Sequence, residues 1–195
     1  MRVITGTARG RVLRTLEGED VRPTTDRVKE AVFSIIQFEI EGRRVLDLFA
    51  GSGQLGIEAL SRGAASATFV DMSKDSLSAV KYNLEHTKLG DNAKVVQTDA
   101  LSFLKLTKDK FDIVFLDPPY ASSLVVDSMK LLSDVVAAGG CAICETPVDS
   151  EGSSSGTNLS ALGLCPNPFG SPRVVISGRS FLTTDIHQSI HNTSA

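Results

Sequence analysis

The chain contains 195 residues, of which 42% are hydrophobic and 22% are charged, and it carries a formal net charge of −3 at pH 7. These totals are ordinary for a soluble globular protein of one domain, and they exclude a membrane span because no apolar run approaches about 18 residues. They also exclude a general attraction for nucleic acid, so any such contact must come from a local patch. Three cysteines cannot all pair within one chain, which favours a reducing cytoplasm.

The first 41 residues are predicted to form a hairpin and a helix ahead of the main sheet. Residues 2–16 alternate loosely and are interrupted by Gly6 and Gly10, which is typical of a short hairpin. They contain no acid, and their basic residues form the candidate local patch: Arg2, Arg9, Arg11 and Arg14. Apolar residues then recur every three or four positions, which predicts an amphipathic helix over 25–39.

From residue 42 onwards, strand and helix signals alternate. Strands are predicted at 44–49, 66–71, 93–97, 111–116, 139–145 and 173–177, and helices at 54–62, 73–88, 99–106 and 121–136. Continuous apolar strands such as 111–116 indicate burial on both faces, and therefore a parallel sheet covered by helices. Residues 147–172 are rich in Ser, Gly, Pro and Asn, which predicts a long surface connection, and residues 184–195 are predicted to be a polar tail.

The most informative stretch is 45–56, where an apolar run ends in a glycine-rich turn and continues into a helical pattern. This order of strand, tight turn and helix brings backbone N–H groups close to a bound nucleotide or nucleoside. Gly51 and Gly53 remove Cβ atoms that would hold a ligand away from the backbone, and Gly56 lets the helix lie close to its strand. Asp71 follows about 20 residues after the turn, where an acid can accept both hydroxyls of a ribose. The stretch therefore predicts a cofactor site.

A second constellation, Asp117-Pro118-Pro119-Tyr120, directly follows the strand predicted at 111–116. If that strand neighbours strand 44–49, the tetrad and the glycine-rich turn open onto one crevice, since ligands bind beyond the carboxyl ends of the strands. The prolines donate no N–H, so a backbone carbonyl and the Asp117 carboxylate can accept both hydrogens of an exocyclic amine, while the Tyr120 ring stacks on a flat base. This chemistry suits methylation of an amino nitrogen, whose lone pair is exposed when its hydrogens are accepted.

The motifs together resemble those of class I S-adenosylmethionine-dependent methyltransferases, and more closely those of the bacterial family that methylates the N2 amine of a guanine in 16S ribosomal RNA. The resembling segments are Arg9-Gly10-Arg11, Arg22-Pro23-Thr24-Thr25-Asp26-Arg27-Val28, Asp47-Leu48-Phe49-Ala50-Gly51-Ser52-Gly53, Leu60-Ser61-Arg62-Gly63-Ala64, Asp99-Ala100 and Asp117-Pro118-Pro119-Tyr120. The resemblance implies a doubly wound, mostly parallel, seven-stranded Rossmann-like sheet with helices on both faces, preceded by an N-terminal β-hairpin and helix. It divides the chain into an RNA-facing extension (1–41), a methyltransferase domain (42–183) and the polar tail (184–195).

The resemblance also implies the residues of the site. Asp47 and the backbone of 50–53 would face the methionine part of S-adenosylmethionine, Asp71 would bind the ribose, and Asp99 with the Ala100 N–H would bind the adenine. The implied cofactor-binding set is Asp47, Phe49, Ala50, Gly51, Ser52, Gly53, Asp71, Met72, Asp99, Ala100 and Asp117. The implied catalytic set, which holds the guanine, is Asp117, Pro118 and Tyr120. The implied contacts to 16S ribosomal RNA, free or within an assembling small subunit, are Arg9, Arg11, Arg14, Arg22, Thr24 and Arg27, presented by a monomer.

Other interpretations remain open from the sequence. The tetrad would equally serve methylation of adenine N6 in DNA or RNA, or of a glutamine amide in a protein, and a cofactor-binding scaffold without catalysis is a further class. Residues 51–56 also match G-x-G-x-x-G, the dinucleotide fingerprint of a nicotinamide-dependent oxidoreductase, with Asp71 suitably spaced. No Tyr-Lys pair, and no His with a partner acid, is placed for hydride chemistry.

Three further features are predicted to be structural. Cys141 and Cys144 spell C-x-x-C, but positions i and i+3 of a strand point to opposite faces, so neither a metal nor a redox site is predicted. Glu58 is expected to cap or pair locally, and His86 is expected to be solvated.

Overall fold

The computed structural model describes residues 1–16, 26–117, 122–145, 173–177 and 182–185. The helices in these ranges are α1 (Asp26–Ile35), α2 (Gln54–Ser61), α3 (Lys74–Thr87), α4 (Ala100–Leu106) and α5 (Ser122–Leu132). The strands are β1 (Arg44–Leu48), β2 (Ser66–Asp71), β3 (Ala93–Gln97), β4 (Phe111–Leu116), β5 (Val136–Glu145), β6 (Arg173–Ser177) and β7 (Leu182–Asp185). The predicted connection at 147–172, residues 186–195 of the predicted tail, and Arg22, Thr24, Pro118 and Tyr120 lie outside the described residues.

The described strands hydrogen-bond in one sheet, in the order β3-β2-β1-β4-β5-β6-β7. Neighbouring strands from β3 through β6 are parallel, and β7 runs antiparallel to β6. β1 lies between β2 and β4, with Leu48 opposite both Val70 and Leu116. The predicted parallel α/β architecture is confirmed, and so is the expectation that strands 44–49 and 111–116 are neighbours.

Helices cover both faces of the sheet. Successive side chains of a strand point to opposite sides, and here the side chains on both sides are apolar. Val45, Ile113 and Phe115 belong to a buried cluster with residues of α1, α2 and α3, which we call the α1–α3 face. Leu46 and Leu116 belong to a second cluster with residues of α4 and α5, the α4–α5 face. Burial on both faces accounts for the continuous apolar runs of the strands. In the described ranges, no helix has the length and apolar character needed to cross a membrane.

The two cysteines of β5 show this alternation directly. Cys141 is buried in the cluster of the α1–α3 face and Cys144 in that of the α4–α5 face. Burial raises the pKa of the Cys144 thiol to about 12. The prediction that the C-x-x-C cysteines point to opposite faces is confirmed.

The N-terminal segment (1–16) folds back on itself, but it contains an isolated bridge instead of the regular strands of the predicted hairpin. The bridge is antiparallel and joins Arg2 to Val12, and the Val3 N–H donates to the Arg11 carbonyl at 2.9 Å. The segment is buried as part of the α1–α3 face through Val3, Ala8 and Leu13.

The N-terminal segment packs closely against α2, and its backbone bonds to α2 instead of forming a regular strand pair. Gly6 has φ +86°, and a Cβ there would lie 1.7 Å from the Ser61 carbonyl oxygen, so only glycine fits this approach. The Ala8 N–H donates to Ser61 Oγ at 3.0 Å, and Ser61 Oγ donates to the Thr5 carbonyl at 2.6 Å. These bonds satisfy backbone groups that a longer hairpin ladder would otherwise have paired.

A buried charged network joins the N-terminal segment to α1 and α2. Glu58 is fully buried, and its two carboxylate oxygens accept the Ile4 N–H at 2.7 Å and the Thr5 N–H at 2.9 Å. Arg62 Nε donates to Glu58 Oε1 at 2.8 Å, and the buried Lys29 Nζ lies 3.6 Å from Glu58 Oε2. Burial lowers the pKa of Lys29, and the charge of Glu58 opposes that shift. The expectation that Glu58 pairs locally is confirmed by its bond to Arg62.

Two boundaries differ from the predicted ones. α5 ends at Leu132 and β5 begins at Val136, although the sequence predicted a helix to 136 and a strand from 139. Val135 and Val136 continue the apolar pattern of the helix, but both are buried, and the Phe111 N–H donates to the Val135 carbonyl at 2.9 Å. The predicted helix 25–39 likewise ends at Ile35 and continues as a turn.

Candidate active site

The carboxyl ends of four adjacent parallel strands form one edge of the sheet. In the order β3, β2, β1 and β4, the residues at or just beyond these ends are Asp99, Asp71, residues 49–53 and Asp117. Leu48 and Leu116, the last residues of β1 and β4, lie directly opposite one another. The structure therefore brings the glycine loop (49–53) and Asp117, the head of the predicted tetrad, to the same place.

The glycine loop leaves β1 through an unusual backbone. Phe49 has φ 75°, in the left-handed region that bulky residues rarely adopt, and Gly53 has φ 78° at the N-cap of α2. The N–H groups of Phe49 and Ala50 both donate to the Val70 carbonyl at 3.0 Å, which ties the loop to β2. A Cβ on Gly53 would lie 3.1 Å from Val80 Cγ2, so it would point into the core and not into the crevice. Glycine at 53 is thus explained by backbone conformation and packing.

Asp71 links the glycine loop to the loop that follows β2. Its Oδ2 accepts the Gly51 N–H at 2.9 Å, and its Oδ1 accepts the Ser73 N–H at 2.8 Å. Each carboxylate oxygen has a second lone-pair site, so Asp71 can still accept hydroxyl groups of a ligand. These bonds hold the carboxylate in a fixed orientation at the end of β2.

Asp47 is the buried acid beneath the loop. It is 3% exposed, and its Oδ2 accepts the Gly56 N–H at 2.9 Å. Gly56 also fits closely, as predicted, because a Cβ there would lie 2.3 Å from the Phe69 ring. Burial raises the pKa of Asp47 to about 7, the Gly56 bond opposes that shift, and the charges of Asp117 and Asp71 add to it.

The acids at the carboxyl edge give the crevice a negative character, and two of them, Asp47 and Asp71, have no basic partner in the described ranges. In the same ranges, no group of acids, histidines and cysteines is arranged to hold a metal ion. A cationic organic ligand matches this arrangement, because it would supply the missing positive charge.

The remaining predicted cofactor residues lie at the ends of β2 and β3. Met72, directly after β2, is 74% exposed and presents an apolar surface beside Asp71. Asp99 is the N-cap of α4, and its Oδ1 accepts the Ser102 N–H at 2.8 Å. Hydrogen bonding with the Ser102 side chain, and then this backbone bond, lower the pKa of Asp99. Ala100 is the first residue of α4, where backbone N–H groups have no partner within the helix. Asp99 and Ala100 therefore offer a carboxylate and a donor side by side.

The predicted RNA-binding arginines fall into two groups. Arg9, Arg11 and Arg14 lie in the N-terminal segment, where Arg9 and Arg14 are exposed. The guanidinium of Arg14 lies over the Tyr82 ring at 5.7 Å, and Arg11 Nη1 donates to the His86 carbonyl. Arg27 belongs to α1.

Asn83 is a functional candidate that the sequence analysis missed. It is fully buried in α3, and its Nδ2 donates at 2.9 Å to both the Ser52 carbonyl of the glycine loop and the Arg14 carbonyl. Its Oδ1 accepts the Arg14 N–H at 2.7 Å. The available signal was a polar residue between Val80 and Leu84, on the apolar stripe of an amphipathic helix.

Comparison with known proteins agrees with this geometry. The family model "Conserved hypothetical protein 95" matches residues 1–162. "Ribosomal RNA small subunit methyltransferase D" of Haemophilus influenzae is 42% identical over 137 residues, covering 69% of this chain and 71% of the relative. The Escherichia coli protein of the same name is 43% identical over 134 residues, covering 69% and 67%. A solved structure, "Putative methyltransferase yhhF from Escherichia coli", shares 42% identity and a TM-score of 0.64, covering 71% of this chain and 77% of that one.

The family resemblance predicted from the motifs is therefore confirmed. The fold is shared with a solved structure that carries the methyltransferase name. The chain belongs to the conserved hypothetical protein 95 family, together with the small-subunit ribosomal RNA methyltransferase D proteins.

Proposed function

We propose that this protein is a ribosomal RNA methyltransferase, and that it transfers a methyl group from S-adenosylmethionine to the exocyclic N2 amine of a guanine in 16S ribosomal RNA. Its relatives are named as small-subunit ribosomal RNA methyltransferases. The observation that carries the proposal is the shared edge of β1 and β4, where Leu48 lies opposite Leu116. A methyl donor at the glycine loop and an amine at Asp117 would meet across this crevice.

The acidic crevice fits the proposed cofactor. When bound, S-adenosylmethionine supplies a methyl group activated by a positively charged sulfonium. Asp47 and the 50–53 backbone would hold its methionine part, Asp71 its ribose hydroxyls, and Asp99 with the Ala100 N–H its adenine. Phe49 and Met72 would flank the cofactor, and Asp117 is the last of the proposed cofactor-binding residues. The fit rests on charge, because the acids lie where a cation would be bound.

Asp117 would act on the target amine as a hydrogen-bond acceptor. By accepting an N–H of the guanine amine it would orient the nitrogen lone pair toward the methyl group and stabilise the proton that is released. Pro118 would direct a carbonyl to the second N–H, and Tyr120 would stack on the base. The base must be extruded into the crevice, because its amine is out of reach inside a helix.

The proposal extends to the organisation of the chain. Residues 1–41, including the proposed hairpin, would face RNA through Arg9, Arg11, Arg14, Arg22, Thr24 and Arg27. Residues 42–183 would form the methyltransferase domain and residues 184–195 a polar tail, except that β7 extends the sheet to Asp185. A cytoplasmic monomer acting on free RNA or on an assembling subunit completes the proposal.

The deciding experiment is mass mapping of 16S ribosomal RNA from a strain that lacks this protein. The expected result is one missing methylguanine, which returns when the wild-type protein is expressed and does not return with Asp117→Ala. A missing N6-methyladenine, or a methylated glutamine lost from a protein instead, would contradict the guanine assignment and identify the alternative substrate.

Cofactor binding is tested separately by calorimetry with S-adenosylhomocysteine. Asp71→Ala should weaken binding by roughly 10- to 100-fold, because hydrogen bonds to a charged group contribute about 1.5–3 kcal/mol. Asp109→Asn is the matched control, since Asp109 is an exposed acid that precedes β4 and therefore lies away from the carboxyl edge. Binding of NADH, or unchanged affinity in Asp71→Ala, would contradict the cofactor assignment.

A further inference from the structure

Two aromatic side chains on α3 form a stacked pair at the protein surface. Tyr82 and His86 are four residues apart and therefore share one face of the helix. Their ring centroids are 6.1 Å apart and their planes differ by 8°. The Tyr82 side of the pair is 50% exposed. His86 is exposed, as expected from the sequence, and it forms an aromatic pair with Tyr82 at the surface.

The N-terminal segment adds positive charge to this surface. The Arg14 guanidinium lies 5.7 Å from the Tyr82 ring centroid, and Arg11 Nη1 donates to the His86 carbonyl. The segment contains no acid, and the exposed charged residues of α3 and its C-cap next to the rings are Lys81, Glu85 and Lys88. Aromatic faces beside guanidinium groups are the combination that binds nucleobases and phosphates together.

The aromatic surface is fixed beside the glycine loop. Asn83 lies next to Tyr82 in α3, and it bonds both to the Arg14 backbone and to the Ser52 carbonyl of the loop. One buried side chain therefore connects the segment that carries Arg14 to the loop that carries the proposed cofactor site. The segment that carries Arg14 is thereby held in place relative to the glycine loop.

We propose that Arg14, Tyr82 and His86 form a nucleobase-stacking subsite for an unpaired nucleotide that neighbours the target guanine in the RNA. This inference rests on the proposed function and adds a second contact to it. An exposed ring of the pair would stack on one face of a base without reading its sequence, while Arg11 and Arg14 would neutralise the adjoining phosphates. Half-exposed rings and a basic segment without acids favour RNA over a protein partner as the occupant.

The test is binding of two probes, a fluorescein-labelled single-stranded oligoribonucleotide of mixed sequence and purified 16S ribosomal RNA. Tyr82→Ala should weaken binding of both probes roughly 5- to 100-fold, as expected for loss of a stacked base. Tyr82→Phe keeps the ring and should bind like the wild type. Arg14→Ala should lower the slope of log K against log salt by about 1, whereas Tyr82→Ala should leave that slope unchanged.

Leu106→Ala is the control, because Leu106 is an apolar residue that is 80% exposed at the end of α4, which packs on the opposite face of the sheet from α3. It should leave RNA affinity unchanged. S-adenosylhomocysteine affinity and the melting temperature should be unchanged in Tyr82→Ala, and His86→Ala provides a second variant that removes one ring.

The outcomes separate this inference from the proposed function. If the wild type methylates 16S ribosomal RNA and Tyr82→Ala and His86→Ala bind both probes like the wild type, the subsite is wrong and the function stands. If these variants bind RNA normally but lose methylation only on assembled subunits, the surface contacts a ribosomal protein, which also overturns the inference. If the wild type binds neither probe, the subsite is wrong, and the mass mapping of 16S ribosomal RNA alone decides the proposed function.

Discussion

The two faces of the sheet are built from different chemistry. The described part of the α4–α5 face is held by apolar packing around Leu46, Leu116 and Leu132, with no buried charge. Every buried charged side chain in the described ranges, namely Lys29, Asp47 and Glu58, lies on the α1–α3 face. Apolar packing tolerates exchange among side chains of similar volume, whereas a buried charge needs a specific partner. On the α1–α3 face the buried acids hold neighbouring backbone in place: Glu58 binds the N-terminal segment, and Asp47 binds the first turn of α2 after the glycine loop.

The largest expected effect is at Glu58, the centre of the charged network. Glu58→Ala should lower the free energy of unfolding by about 3–5 kcal/mol, because it leaves the Lys29 amine buried without its partner. Urea denaturation measures this loss. Lys29→Met should restore part of it in the Glu58→Ala background, giving a coupling energy above about 1 kcal/mol.

Leu132→Ala on the α4–α5 face is the control for that coupling. It should cost about 2–5 kcal/mol through the cavity it creates, and its effect should simply add to that of Lys29→Met. If Glu58→Ala and Lys29→Met were additive as well, the difference between the two faces would disappear.

A smaller effect is expected at Asn83, which joins Arg14 to Ser52. Asn83→Ala should cost about 1–3 kcal/mol, because it leaves buried backbone groups without partners. It should also weaken S-adenosylhomocysteine binding in calorimetry, since the glycine loop loses its bond to α3. Asn92→Ala, at an exposed position, should change neither quantity by more than about 0.5 kcal/mol. Wild-type cofactor affinity in Asn83→Ala would show that the loop does not depend on this contact.

The smallest expected effect is the pH dependence caused by Asp47, whose pKa is raised from 3.8 to about 7. Above pH 4 the unfolded state has lost this proton and the folded state retains it, so stability falls as the pH rises toward 7 and then levels off. Between pH 6 and 8 the free energy of unfolding of the wild type should fall by about 1 kcal/mol, and that of Asp47→Asn should not. Thermal melting across this range measures the difference between variant and wild type.

The same variant tests the charge of the ligand. A bound cation favours the ionised carboxylate, so wild-type affinity for S-adenosylmethionine should rise as the pH passes 7, and affinity of Asp47→Asn should not. Asp109→Asn should keep the wild-type profile in both experiments. If Asp47→Asn melted with the same pH dependence as the wild type, Asp47 would be excluded as the source of that pH dependence.

The sequence predicted every α-helix and strand from 44 to 116 to within one residue, but not the short 3-10 helix Gly90–Asn92. It could do so because apolar runs and helical spacing alternate there without ambiguity, and because Asp71 and Asp117 follow strands whose carboxyl ends share an edge. The α5–β5 boundary was missed because Val135 and Val136 fit a helical stripe and a strand equally well. The contacts of Asn83 and Lys29 were missed because they join segments far apart in the chain, which periodicity does not report.

The acids along the carboxyl edge of the sheet also bear on turnover. Methyl transfer converts a charged sulfonium into an uncharged thioether, so Asp47, Asp71 and Asp117 would attract the fresh donor more strongly than the spent one. An edge lined by carboxylates would thus bind the charged sulfonium more tightly than the uncharged thioether. It would favour replacement of the thioether product by a new S-adenosylmethionine after each cycle.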